Sequence, residues 1–386
     1  MHKDTLIIEA GRPRSAGAVP VNVPVQRAST ILFPTLRDYE DAGAAKYTAL
    51  RYGRHGTQTA FALQEAVAEL EGGYRAIALP SGVAAISATL IAVARPGTHL
   101  LVCDNVFAPT RSFCETHLRP MGVDITYFPP AAGAGIGELF REETVAVYCE
   151  SPGSQTFEMQ DIPAIAEAAH RRGALVIHDG TWATPYFFPS FARGVDISIH
   201  AATKYIGGHS DVMMGIVVCS EEAWKTVRPV VAGFGFSVSA DDAYLALRGL
   251  RTLAVRMERH QASALRVATF LEGHERVARV LYPALSSDPG HRIWKRDFTG
   301  ASGLMGCRIR AGDDDVRTMI DNLRLFGIGS SWGGYESLAT PQKPRRSFPL
   351  PEDGGVLVRI HIGLENPDDL LEDLRRGLDS LPGNGG

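Results

Sequence analysis

A rhythm between residues 76 and 219 most limits what this chain can fold into. Short apolar runs alternate with helical stretches, and each run stops at a residue carrying either chemistry or backbone freedom. Ala76–Leu79 leads into Pro80-Ser81-Gly82, His99–Cys103 into Asp104, and Val145–Cys149 into Glu150. Ala174–His178 ends in Asp179, the alternating Ile197 and Ile199 precede Ala201-Ala-Thr-Lys204, and Gly215–Cys219 closes the series. Between them, Phe61–Leu70 has helical spacing and stops at Gly72-Gly73. Asp161–His170 puts Ile162, Ile165 and Ala169 on one face, with Gly173 as its stop. Unbroken apolar runs suit strands buried on both faces. Alternation of such strands with helices predicts an α/β fold with a mainly parallel sheet covered by helices. The polar residues then gather beyond the carboxyl ends of the strands, where ligands of open α/β sheets bind.

Two of these strand ends form a chemical pair. A lysine at the mouth of a buried strand, here Lys204 followed by Gly207 and Gly208, is costly unless paired, neutralised or used covalently. Asp179 stands at the end of a neighbouring run. Such a lysine and carboxylate are what a pyridoxal 5'-phosphate site requires: the amine holds the cofactor aldehyde, and the carboxylate keeps the pyridine nitrogen protonated. An ordinary structural ion pair, or a lysine whose stem covers apolar surface, is the competing reading. The turn at Ser81-Gly82-Val83 opens a helix of small residues whose first N–H groups can hold a phosphate, a signal that many strand-to-helix turns share.

The remaining features narrow the class. With 386 residues, 45% hydrophobic, 21% charged and a net charge of -4, the chain reads as a globular protein of two or three domains with no nucleic-acid or membrane partner. Its N-terminus lacks a signal-peptide core. Five scattered cysteines without CxxC spacing fit reduced thiols in a cytoplasmic protein. His178, His200, His209 and His361 lack metal-ligand spacing. Residues 1–57, with Pro20, Pro24 and Pro34, read as an arm lying on another surface, and residues 58–238 as the large domain. Residues 239–386 form a smaller α/β domain that begins with one long bent helix over 240–273 and has strands at 303–308 and 356–362. Asn366-Pro367-Asp368-Asp369 caps a last helix. Arg359 sits among Val358, Ile360 and Ile362, so it either makes a salt bridge in the small domain or clamps a substrate carboxylate.

With these residues assembled, the chain resembles the Cys/Met-metabolism family of pyridoxal-phosphate enzymes, the γ-family of aspartate-aminotransferase fold (fold type I), nearest its cystathionine β-lyase branch. The motifs are Tyr52-Gly-Arg54, Glu150-Ser-Pro-Gly-Ser154, Ala201-Ala-Thr-Lys204, Gly207-Gly-His-Ser-Asp211, Trp294-Lys-Arg-Asp-Phe298-Thr-Gly300, Ser331-Trp332-Gly-Gly-Tyr-Glu-Ser-Leu338 and Arg359-Ile-His-Ile-Gly-Leu364. The resemblance implies that Lys204 holds the cofactor and then acts as base, and that Asp179 pairs with the pyridine nitrogen. It implies that Gly82, Val83 and Thr203 bind the phosphate, joined by Tyr52 and Arg54 of a neighbouring subunit in a dimer of dimers. Arg359, Ser331 and Ser154 would bind the substrate carboxylate, with Trp332 lining the pocket.

The departures fall in the same places. Phe107 stands where the family stacks a tyrosine on the cofactor, and Ser330 where the lyase branch has another tyrosine. Gly180 and Val83 replace the usual asparagine and methionine. The expected activity is β-elimination from L-cystathionine, or a related cysteine S-conjugate, to a thiol, pyruvate and ammonia. Phe107 and Ser330 keep open racemisation, β- or γ-replacement, or another C–S lyase reaction on the same cofactor. A cofactor-free binding protein on the same fold is the alternative of a different class, and a purified protein that stays colourless with added cofactor is its mark.

Overall fold

In the computed structural model, which describes residues 1–13, 17–45, 47–350 and 354–382, the predicted rhythm becomes one large sheet. Its strands are β1 (Arg75–Leu79), β2 (His99–Cys103), β3 (Asp124–Phe128), β4 (Thr144–Glu150), β5 (Leu175–Asp179), β6 (Ile197–His200) and β7 (Gly215–Cys219). They lie in the order β1-β7-β6-β5-β4-β2-β3. Neighbours are parallel from β3 through β6, whereas β7 runs antiparallel to both β6 and β1. The expected, mainly parallel sheet is therefore present, with one reversed strand. Every residue of β2, β6 and β7 is buried, as unbroken apolar runs require.

The helices follow from their caps. In chain order they are α1 (Lys3–Glu9), α2 (Leu36–Ala44), α3 (Gln58–Glu71), α4 (Gly82–Val93), α5 (Ala108–Phe113), α6 (Ile162–His170) and α7 (Thr184–Phe187). After them come α8 (Glu221–Gly233), α9 (Ala240–Arg251), α10 (Leu253–Glu272), α11 (His291–Asp297), α12 (Asp313–Asp321) and α13 (Pro367–Asp379). Ser81, Asp161, Ser220, Ser239 and Asn366 each accept a first-turn N–H at the start of α4, α6, α8, α9 and α13. Gly72, at φ 77°, closes α3 in the left-handed conformation that glycine adopts without cost.

The second sheet is antiparallel, in the order β10-β11-β9-β8, from β8 (Val277–Leu281), β9 (Leu304–Ile309), β10 (Leu338–Pro341) and β11 (Val356–His361). The single bent helix expected over 240–273 is instead two helices. Thr252 leaves helical geometry at φ -107° and ψ 11°, and its hydroxyl bonds Gly249 O (3.1 Å) and accepts from Arg256 Nε (3.1 Å). A side chain offering the backbone another partner breaks the ladder there.

The first 57 residues divide in two. Near the N-terminus the chain lies on its own body: Lys3 Nζ donates to Pro185 O (2.5 Å) and Tyr186 O (3.0 Å), and Arg251 donates to Ile7 O (2.5 Å) and Ala10 O (2.8 Å). α2 buries nothing, and Leu32 and Leu36 before and at its start are 89% and 71% exposed.

Candidate active site

β4, β5 and the segment after β6 end at one edge of the large sheet and bring Glu150, Asp179 and Lys204 to a single cavity. Its lining also includes Phe107, Ser154, Trp332 and Arg359 from the sequence-predicted set. Ser331 reaches the cavity lysine directly, since Lys204 Nζ donates to its hydroxyl at 2.5 Å. Lys204 Nζ also lies 5.2 Å from the Trp332 ring centroid.

A close approach sets this geometry. A Cβ on Gly333 would stand 2.9 Å from Tyr205 N and 3.0 Å from Lys204 Cα, so the Ser331–Gly333 turn rests on the lysine's own backbone. Both Ser331 (φ 83°) and Gly333 (φ 88°) have positive φ, and Gly333 N donates to buried His361 Nε2 at 3.1 Å. Strained backbone of this kind persists only where its surroundings over-determine it.

Charge is distributed without internal neutralisation. Asp179 is 8% exposed, and its bonds converge on Oδ1, from Thr181 N (3.1 Å) and Thr181 Oγ1 (2.5 Å). Among the described residues no cation lies within 4.0 Å of Asp179, and no carboxylate lies within 4.0 Å of Lys204 or Arg359. Burial pushes the Asp179 carboxyl up despite the Thr181 bonds. It brings the Lys204 amine down to about 8, helped by the Arg359 charge. Arg359, on β11, has one side-chain bond among the described residues, to Gly329 O at 3.3 Å, and burial lowers its pKa. A lysine with that pKa is neutral often enough near pH 8 to take up a proton.

The other predicted residues lie around this centre. Ser81 caps α4 by accepting Ala84 N, which leaves the N–H groups of Gly82 and Val83 without acceptors among the described residues. A Cβ on Gly82 would lie 2.9 Å from that of Ala201, so the start of α4 abuts the cavity lining. The Thr203 hydroxyl accepts Met214 N (2.9 Å) and donates to Met214 O (3.2 Å). Ser330 is exposed. Tyr52 and Arg54 do not reach the Lys204 cavity of their own chain. Tyr52 is 45% exposed, and Arg54 donates to Ala232 O at 3.2 Å. The histidines are spoken for elsewhere: His178 and His200 are buried beside Glu71, and His209 bonds Gly207 O.

Two residues escaped the sequence reading as site members. Glu150 was named as a strand end and within a motif but was given no role, although it ends its strand as Asp179 does. Thr181, two residues after Asp179, holds that carboxylate in place.

Residues 4–379 match the profile of the Cys/Met metabolism PLP-dependent enzymes. The chain is 42% identical over 388 residues to the cystathionine beta-lyase of Bordetella avium, with 98% of each chain covered. It is 38% identical over 397 residues to an L-alanine/L-glutamate racemase of Wolbachia pipientis wMel, covering 99% of this chain and 98% of that one. Among solved structures, metB from Corynebacterium glutamicum superimposes with a TM-score of 0.91 at 30% identity, with 99% of both chains covered.

Proposed function

The chain belongs to the Cys/Met-metabolism PLP-dependent enzymes, and from that premise we infer that it is a carbon–sulfur lyase acting at Cβ of L-cystathionine or a related cysteine S-conjugate. The observation that carries this reading is one cavity where Asp179, Lys204 and Arg359 converge, none of them, among the described residues, within 4.0 Å of an opposite charge.

The residues present fit the cofactor. Buried Asp179 lacks a cation where a pyridinium needs a carboxylate, Lys204 is a free amine, and the opening turn of α4 offers unpaired N–H groups. When bound, pyridoxal phosphate supplies an electron sink for a carbanion at the substrate's Cα. Asp179, fixed by Thr181, would hold the ring nitrogen protonated. Gly82, Val83 and Thr203 would hold the phosphate, and Phe107 would cover the ring. Arg359, with Ser154 and Ser331, would take the substrate carboxylate in the bidentate manner suited to a guanidinium. Lys204 Nζ, kept near neutrality by burial and by Arg359, would remove the Cα proton. Trp332 and the Ser331 hydroxyl limit where that amine can swing. With one water consumed, cystathionine yields homocysteine, pyruvate and ammonia.

Residues 58–238 are assigned as the cofactor domain, 239–386 as the small domain and 1–57 as an arm that completes a neighbouring subunit's site with Tyr52 and Arg54. The exposed Leu32, Leu36 and Tyr52 support the arm's assignment. The five cysteines are free and buried, which suits the reducing cytoplasm, and among the described residues no helix is long and apolar enough to cross a membrane.

The test is pyruvate and thiol release by the cofactor-loaded protein from L-cystathionine and L-cysteine. Turnover lost in Lys204→Ala is the expected result, and full activity in that variant overturns the assignment. Racemisation is the second reading, favoured by the Wolbachia relative and by Phe107 and Ser330 standing where the lyase branch has tyrosines. It begins with the same proton removal, and chiral analysis of alanine and glutamate separates the two.

A further inference from the structure

Among the described residues, four ionisable side chains line the cavity: Glu150, Asp179, Lys204 and Arg359. Three have roles above; Glu150 has none. It is the in-register neighbour of Asp179 across the parallel β4–β5 pair, so the two carboxyls stand side by side at one strand edge. Neither has a cation within 4.0 Å among the described residues. The remaining groups facing Glu150 bring it no positive charge: Tyr148 on its own strand, and Cys103 on β2, whose thiol burial pushes up. Two adjacent carboxyls, Asp179 buried and Glu150 partly buried, cannot both ionise without compensation. Asp179 also accepts two bonds from Thr181, which favour its charge. Glu150 Oε2 accepts a single bond, the Phe107 N–H at 2.7 Å, and no other side chain bonds its carboxyl among the described residues.

That bond sits at a joint. Residues 104–107 are held from three sides. Asp104 is paired with Arg111 and Arg346, Asn105 Oδ1 accepts from Gln160 Nε2 (2.9 Å), and Phe107 is tied by Glu150. Phe107 is 39% exposed, so its backbone anchor rather than packing fixes where its ring stands.

We propose that Glu150 is a positioning residue that keeps its proton: as a neutral acid it anchors the Phe107 backbone at the cavity rim and leaves Asp179 the only carboxylate in the cavity. The orientation follows from the bond. With Oε2 occupied as acceptor, the proton resides on Oε1. This inference rests on reading the cavity as the cofactor site.

Glu150→Gln and Glu150→Ala test it by three readouts. In the infrared difference spectrum of cofactor-free protein, wild type minus Glu150→Gln, the carbonyl stretch of a neutral carboxylic acid is expected at pH 7.5. Its absence overturns the proposal. Glu150→Gln keeps shape, acceptor and neutrality, so cofactor affinity by absorbance titration, the absorbance maximum and kcat/KM stay within about 3-fold of wild type. Glu150→Ala frees the Phe107 N–H and lowers cofactor affinity and kcat/KM roughly 10- to 100-fold. Glu150→Gln as impaired as Glu150→Ala means that a charge is needed, which also overturns the proposal. Should Glu150→Ala fail to fold, the infrared band and Glu150→Gln still decide. The band needs neither cofactor nor substrate, so a protein without lyase turnover refutes the proposed reaction and leaves this inference to the spectrum.

Discussion

Replacing Arg359 by leucine separates a guanidinium kept for a ligand from one kept for the fold. Within the chain Arg359 gains little: one bond of 3.3 Å to Gly329 O, no carboxylate within 4.0 Å among the described residues, and the repulsion of Lys204. Exchanging a buried ion pair for apolar side chains stabilises by about 1–4 kcal/mol. For one incompletely buried cation with no anion we take the low end, about 1 kcal/mol gained by Arg359→Leu. Substrate binding moves the other way. Truncating one member of a buried charge pair costs about 2–5 kcal/mol. At about 1.4 kcal/mol per decade, kcat/KM falls roughly 30- to 4000-fold. Urea unfolding of the cofactor-free protein measures the first quantity, and pyruvate release over a range of L-cystathionine concentrations measures the second. Stability lost by more than about 1 kcal/mol, with kcat/KM nearly unchanged, refutes the reasoning and makes Arg359 a structural residue.

Three further outcomes follow from the same geometry. Lys204 titrates at about 8 in the folded chain against 10.5 unfolded, so the unfolded state binds more protons between those values. Stability of the cofactor-free protein therefore rises with pH across that window, and Lys204→Met removes this part of the slope in unfolding titrations. Gly333→Ala puts a Cβ 2.9 Å from Tyr205 N at φ 88°; denaturation should show about 2–4 kcal/mol lost, and cofactor binding should weaken with it. Asp179→Asn keeps the Thr181 bonds but removes the charge, so kcat is expected to fall by 100-fold or more in steady-state assays while the chain unfolds at nearly the wild-type urea concentration.

The sheet was legible because its central strands are buried on both faces and so write themselves as unbroken apolar runs. β3, β8 and β10 were not. β3 begins with exposed Asp124, and Arg279 interrupts β8, so each depends on its neighbours rather than on its own pattern. Asp179, Lys204 and Arg359 could be picked out because a charge in an apolar run needs a reason. Glu150 stood in an equivalent place, yet no nearby signal told it from an exposed loop acid. Its pairing with Asp179 is a matter of strand register. The contact of Ser331 with Lys204 spans 127 residues and has no local trace apart from the glycines that follow it.

The reversed strand β7 also has a consequence in time. Among the described residues β1 sits at the sheet's edge and pairs with β7 alone, Leu79 lying opposite Gly215, 136 residues further on (215 − 79). At a synthesis rate of about 5–20 residues per second, β1 leaves the ribosome roughly 7–27 s before its partner exists. Throughout that interval the apolar Ala76–Leu79 edge and the α3 and α4 faces that pack against it have no sheet to join. An unpaired edge of this kind is where a nascent chain adheres to another. The stage most in need of a chaperone therefore ends when Cys219 emerges and β7 is complete.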